Sequence, residues 1–114
     1  MMSLQLADIQ SASPWLELMR DRIITHFQPL KIILFGSHAR GDAKPDSDID
    51  LLIVFQQVSH KRKTAISIRK VLSDLPIAKD IIVTTPKEID EYGDLIGTIL
   101  RPALKEGKTL YEQG

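Results

Sequence analysis

The chemistry of this chain is concentrated between Phe35 and Asp50, in "FGSHARGDAKPDSDID". Asp48 and Asp50 are two residues apart at the start of an apolar run. On a strand they share one face, with Cα atoms about 6.6 Å apart. Neighbouring carboxylates in a partly dry cleft repel each other and resist ionisation, and a divalent cation reverses that. Magnesium suits such hard oxygen ligands, because it takes one or two carboxylates and leaves its other positions to water and phosphate oxygens. Gly36 and Ser37 fit the same purpose. Glycine lets backbone come close to a ligand, and a serine opening a helical turn offers its N–H and hydroxyl to a phosphate. A carboxylate-held metal and a phosphate-holding turn facing one polyphosphate is what phosphoryl or nucleotidyl transfer requires.

Each half of this pattern has a plainer reading. Gly-Ser after a strand is commonly just a turn, and Asp-x-Asp recurs by chance. "GSHARGDA" also carries the two glycines of a P-loop, at Gly36 and Gly41, but Asp42 and Ala43 stand where that motif needs lysine and Ser/Thr. An acidic residue there repels phosphate, so a P-loop is excluded.

The elements that must position these residues are legible. Ser13 and Pro14 read as an N-cap followed by proline at the first helical position, and Trp15, Met19, Ile23 and Phe27 then recur at helical spacing up to Pro29. "KIILF" (31–35), "DIDLLIVF" (48–55) and "AKDIIVTT" (78–85) read as strands, with a turn at Pro45 and Asp46. On the second strand Leu52 and Val54 continue the aspartate face, while Ile49, Leu51 and Ile53 fill the other. Residues 61–75 form an amphipathic helix: Ala65, Ile68, Leu72 and Leu75 share a face, and Lys63, Arg69 and Lys70 fall elsewhere. A last helical region from Pro86 holds Tyr92, Ile96, Ile99 and Ala103 in period, weakened or bent by Gly93, Gly97 and Pro102, and ended by Gly107. "TLYE" adds a short edge strand. The order predicts an α/β fold of the two-layer α+β kind, a small sheet backed by helices. Because the segment from Gly36 to Ser47 is too short for a crossover helix, though long enough for one helical turn, the sheet is expected to be mixed.

Composition bounds the partners. The 114 residues allow one domain, 1–114, which buries only about two-thirds of its unfolded surface, so a deep cleft is expected to need completion by a partner. Fifteen basic residues balance fifteen acidic ones, which removes bulk attraction to nucleic acid or an anionic membrane. The lack of cysteine excludes disulfides, thiolate metal sites and a cysteine nucleophile. No signal peptide is evident and no apolar run approaches the roughly 20 residues that span a bilayer. A soluble cytoplasmic protein is expected.

Gly36-Ser37, ten residues, then Asp48-Ile49-Asp50 resembles the signature of the DNA polymerase beta-like nucleotidyltransferase superfamily. The extended "FGSHARGDAKPDSDIDLLIVF", with Arg-Gly after Gly-Ser, is similar to its minimal nucleotidyltransferase (MNT) subgroup. The similarity covers residues 30–111 and includes the closing "EGKTLYE". It implies the polymerase beta-like fold, ATP as substrate and two magnesium ions. Asp48 and Asp50 would hold the metals and Ser37, beside Gly36, the β- and γ-phosphates. The superfamily's third carboxylate falls on Asp80, which would complete the metal site and help deprotonate an acceptor hydroxyl. Without the resemblance, Asp80 reads as a solvent-facing strand end. Arg40 either steadies the triphosphate or lies on the loop surface. His38 is a loop residue or a nucleotide contact, and His60 to Lys63 are a solvated helix start or a patch for a partner.

MNT proteins resemble only the catalytic core of larger nucleotidyltransferases, so the resemblance implies a second subunit, in a homo- or hetero-oligomer. The usual one is a small helical HEPN protein, often an RNase toxin, with MNT as antitoxin attaching AMP to a toxin tyrosine. Ile96, Ile99 and Leu100, on the apolar, glycine-containing last helix, are the expected docking face, although covering the sheet is the commoner role of such a face. Two other roles stay open: neutralising the toxin by binding alone, or modifying a small molecule of the aminoglycoside type.

Overall fold

The computed structural model describes residues 14–95 and 97–114. The expected cap at Ser13 and the docking residue Ile96 therefore lie outside the described residues. Helix α1 (Trp15–Phe27) buries Leu16, Met19 and Ile23, with Trp15 and Phe27 packed at the margin of the same core. It ends at Gln28, which takes φ 53° and ψ 56° and donates its N–H to the Ile24 carbonyl. Pro29, which has no N–H to offer, follows.

Strand β1 (Lys31–Phe35) leads through the single turn α2 (Ser37–Arg40) and a loop into β2 (Ile49–Val54). Helix α3 (Lys61–Val71) then connects to β3 (Lys79–Thr84). Helices α4 (Pro86–Tyr92) and α5 (Leu100–Glu106) precede the edge strand β4 (Lys108–Glu112). The sheet order is β3-β2-β1-β4, with β2 parallel to β3 and β1 antiparallel to both β2 and β4. The mixed sheet follows from connection length: β1 reaches β2 through a short loop, whereas the parallel step from β2 to β3 needs α3.

Alternation along β2 divides the interior as expected. Ile49, Leu51 and Ile53 pack with Ile32, Leu34, Ile68 and Leu72 beneath α1 and α3. Leu52 joins Ile33, Phe35, Leu100 and Ala103 on the opposite face, under α5. Each large aliphatic side chain contributes about 1.5–3 kcal/mol when fully buried, so β2, apolar on both faces, is the strand that anchors the sheet.

Three of the differences from the sequence expectation shape the site or its surroundings. Helix α3 stops at Val71 rather than Leu75, where the Arg22 guanidinium takes the Val71 carbonyl at 2.8 Å and also pairs with Asp74. Leu72 and Leu75 stay buried in the turn that follows. The last helical region is two helices: Gly97 has φ 94°, and the Thr98 hydroxyl lies within bonding distance of the carbonyls of Tyr92 and Leu95, which a continuous helix would use itself. Strand β2 begins at Ile49, so Asp48 stands just ahead of it and strand alternation alone does not fix its direction.

Candidate active site

The turn α2 places the Gly-Ser pair. Gly36 has φ 76° and ψ −157°, a conformation that side chains disfavour, and its carbonyl accepts from the N–H groups of Ala39 and Arg40. A second reason for glycine lies across the strand pair. Phe35 is in register with Asp50, and a Cβ on Gly36 would collide with the Asp50 carboxylate. Gly36 thus gives Asp50 its place, and Ser37 opens the turn directly after it.

Asp50 is in turn the register partner of Asp80 on the parallel neighbour β3. The third carboxylate therefore sits beside the second by strand pairing. Partial burial pushes the Asp50 carboxyl above its ordinary range; the nearby Asp80 and Asp48 charges push it further, and His38 and Arg40 partly oppose them. That is the behaviour of an acidic cluster short of positive charge. Asp48 itself is exposed.

The protein supplies part of the missing charge. Arg69, from the C-terminal half of α3, bonds Asp80 Oδ1 at 3.0 Å, with both side chains about half exposed (51% and 48%). Sequence periodicity puts Arg69 off the apolar face of its helix and says nothing about which strand residue it meets. As they stand, no three Asp, Glu or His side chains among the described residues are gathered closely enough to hold an ion. The donor set still fits a divalent cation: hard carboxylate oxygens from Asp48, Asp50 and Asp80, a carboxyl at Asp50 that resists ionising alone, and a glycine that clears the space around it.

Arg40 is exposed and bonds Asp42 at 3.3 Å and Glu106 at 3.5 Å. His38 is buried, only 8% exposed, a placement that nothing in its sequence neighbourhood signals. Its Nε2 lies 3.1 Å from the Ser47 carbonyl, and Nδ1 is buried without a partner among the described residues. Because a carbonyl only accepts, Nε2 carries the proton of that bond. A buried polar atom left unpaired costs about 1–3 kcal/mol.

Ile82 and Thr84, which share the strand face of Asp80, line a groove with Glu88, Tyr92 and Ile99. Ile99 is 48% exposed, as the docking expectation required, but Leu100 is not: it is buried against Ile33, Phe35 and Leu52. Helix α5 starts at Leu100 and turns that side chain inward. The basic stretch at the start of α3 is partly engaged, since Lys61 pairs with Glu88. No described helix is long and apolar enough to cross a membrane.

Known proteins carry related sequences and folds. One protein of Methanocaldococcus jannaschii, named "Putative protein adenylyltransferase", is 75% identical over 24 residues, 21% of this chain and 24% of its own length. A second of the same description and organism is 35% identical over 54 residues, 47% of this chain and 54% of its own. The chain thus matches about a quarter and about half of the length of these relatives. Among solved structures, a "putative nucleotidyltransferase" from Sulfolobus solfataricus superposes with a TM-score of 0.60 at 24% identity, over 93% of this chain and 87% of that one. A structure described as a toxin-antitoxin with AMP-PNP gives 0.53 at 21% identity, over 90% and 73%. These two likenesses are of fold. The sequence profile described as "Nucleotidyltransferase domain" matches residues 16–106, from α1 through α5, and by that match the chain belongs to the nucleotidyltransferase domain family.

Proposed function

We propose that this protein is a magnesium-dependent nucleotidyltransferase that moves AMP from ATP to a protein hydroxyl, the acceptor being a tyrosine of a HEPN-type RNase toxin for which it is the antitoxin. The observation that carries the transferase reading is the packing of the Gly36-Ser37 turn against Asp50, itself in register with Asp80. The adenylyl group and the protein acceptor are favoured by the names of the two archaeal relatives. The toxin partner rests on the resemblance of residues 30–111 to MNT antitoxins.

In this reading Asp48, Asp50 and Asp80 hold the magnesium, which supplies Lewis-acid stabilisation of charge on the phosphates. Ser37 presents its N–H and hydroxyl to the β- and γ-phosphates, and Gly36 lets them approach. Arg40 leaves Asp42 and Glu106 for the triphosphate, to which a guanidinium is well matched. The acceptor oxygen attacks the α-phosphorus in line as its proton passes to Asp80, and the bond to the bridging oxygen breaks so that pyrophosphate leaves. Asp80 must first release Arg69. The whole chain acts as a single catalytic domain in the cytoplasm, with the acceptor wall supplied by the partner.

The experiment is to mix the protein with ATP, magnesium and the HEPN partner and to weigh the partner by mass spectrometry. An adenylyl-sized increase on a tyrosine is expected; an active partner that gains no mass refutes the proposal. Neutralisation by binding alone is the second reading, and the engagement of Asp80 by Arg69 favours it. Replacing Asp48 and Asp50 with alanine separates the two: protection from the toxin is lost if transfer is needed and retained if masking suffices.

A further inference from the structure

We propose that His38 is a positioning residue: its buried imidazole ties the Ser47 carbonyl, one residue ahead of Asp48, to the turn that carries Gly36 and Ser37, so that the carboxylates and the phosphate-holding turn form one rigid unit. The inference rests on the reading of Asp48 and Asp50 as metal ligands.

The loop between α2 and β2 runs from Gly41 to Asp48, and most of its residues are exposed. Its internal bonds are local. Ser47 N–H donates to the Lys44 carbonyl at 3.0 Å, and the Ser47 hydroxyl accepts from Lys44 N–H at 2.8 Å, which closes a turn around Pro45 and Asp46. Those bonds shape the turn without fixing it to the rest of the protein. The contact of His38 Nε2 with the Ser47 carbonyl, nine residues on, does fix it. One end is anchored in α2, whose preceding Gly36 packs against Asp50; the other holds the peptide group that leads into Asp48.

The side chain found at this place is informative. A position needed only to fill space would take an aliphatic residue, with no nitrogen to leave unpaired. His38 instead keeps Nδ1 buried and unpartnered among the described residues while Nε2 meets Ser47. Nε2 is therefore the ring atom with a structural task. Groups that orient metal ligands at one remove typically change metal affinity or activity about 10- to 100-fold when lost. Asp48 is exposed and outside the strand; the Ile49 N–H, just after it, is held by the Ala78 carbonyl at 2.9 Å, and the His38 bond supplies the hold on its other side.

The test uses two neutral amides. His38→Gln places an N–H near the former Nε2 and keeps the bond to Ser47; His38→Asn has the same chemistry but is too short to reach. Mn2+ binding to the whole protein is followed by electron paramagnetic resonance and calorimetry, with Asp50→Asn as reference, and amide hydrogen exchange over the loop ahead of β2 reports its anchoring. Asp50→Asn is expected to lose Mn2+ binding. His38→Asn is expected to weaken it about 10-fold or more, with faster exchange confined to that loop, while His38→Gln stays within about 3-fold of the parent, below the lower end of that range. In the transfer assay the Asn variant shows a raised magnesium requirement with near-normal kcat at saturating metal. If His38→Asn binds Mn2+ like the parent while Asp50→Asn does not, the inference fails and the metal reading stands. If Asp50→Asn binds Mn2+ normally, the metal reading falls and the inference with it. Equal losses in the Gln and Asn variants, or exchange raised throughout the protein, would also overturn it, by making His38 a general core residue.

Discussion

Replacing Gly36 with alanine tests the local geometry on which the site depends. The native backbone there, φ 76° and ψ −157°, lies in a region that residues with a Cβ occupy at a cost of about 1–3 kcal/mol. The new methyl also meets the Asp50 carboxylate, whose Cγ is only 3.1 Å from the Cβ position. Moving that side chain off its rotamer adds about 0.5–1.5 kcal/mol. Gly36→Ala should therefore destabilise the protein by about 1.5–4.5 kcal/mol, the sum of the two, or roughly 6–18 °C in Tm for a domain of this size. Urea unfolding followed by circular dichroism measures the loss. Repeating it in an Asp50→Ala background divides the two contributions, since the truncated side chain leaves no carboxylate to strike. There the alanine should cost about 0.5–1.5 kcal/mol less, the share assigned to rotamer strain. A Gly36→Ala protein as stable as the parent refutes the whole reasoning. Equal costs in both backgrounds refute the contact with Asp50 and leave only the backbone strain.

Two further predictions concern the carboxylates. Burial first, and then Asp80 and Asp48, raise the Asp50 carboxyl in the folded protein. The native state thus holds that proton more tightly than the unfolded chain, and stability falls as pH rises from the ordinary carboxylate range, about 4, through the raised folded value. Asp50→Asn removes the charge, so without metal it should melt above the parent at the neutral end of a pH series and level with it near the acid end; a variant that melts lower at neutral pH contradicts the sign. The Arg69–Asp80 pair is half exposed, and such pairs are worth about 0.2–1 kcal/mol. Arg69→Ala should therefore tighten Mn2+ binding by up to about 5-fold, the equivalent of that energy. Weaker binding in calorimetry would show that Arg69 supports the metal site rather than competing for it.

The legible parts of this protein are those carried by local pattern. Alternation in "DIDLLIVF" assigned the apolar residues of both β2 faces correctly, because a period of two leaves no other choice once the strand is placed. The mixed sheet and the edge strand near the C-terminus followed from connection lengths and a short β-rich run. The split of the last helical region was only half visible: the glycines signal weakness, but the Thr98 hydroxyl that competes for two helix carbonyls is a detail of side-chain geometry. Leu100 takes the commoner of its two expected roles, covering the sheet rather than docking a partner, for a related reason. A helix that begins afresh at Leu100 starts a new phase, and its first apolar residue turns to the sheet instead of outward.

Local sequence dictates the residue types of the site and the turn that brings Gly36 and Ser37 to the end of β1, since these depend on neighbours within a few positions. What lies beside what is settled by packing alone. That Asp50 pairs with Asp80 is a matter of parallel register across the α3 crossover, and register is set by how both strands pack under α1 and α3 rather than by either strand alone. The Arg69 contact with Asp80 and the His38 hold on Ser47 likewise join residues from separate elements, so no local spacing could announce them.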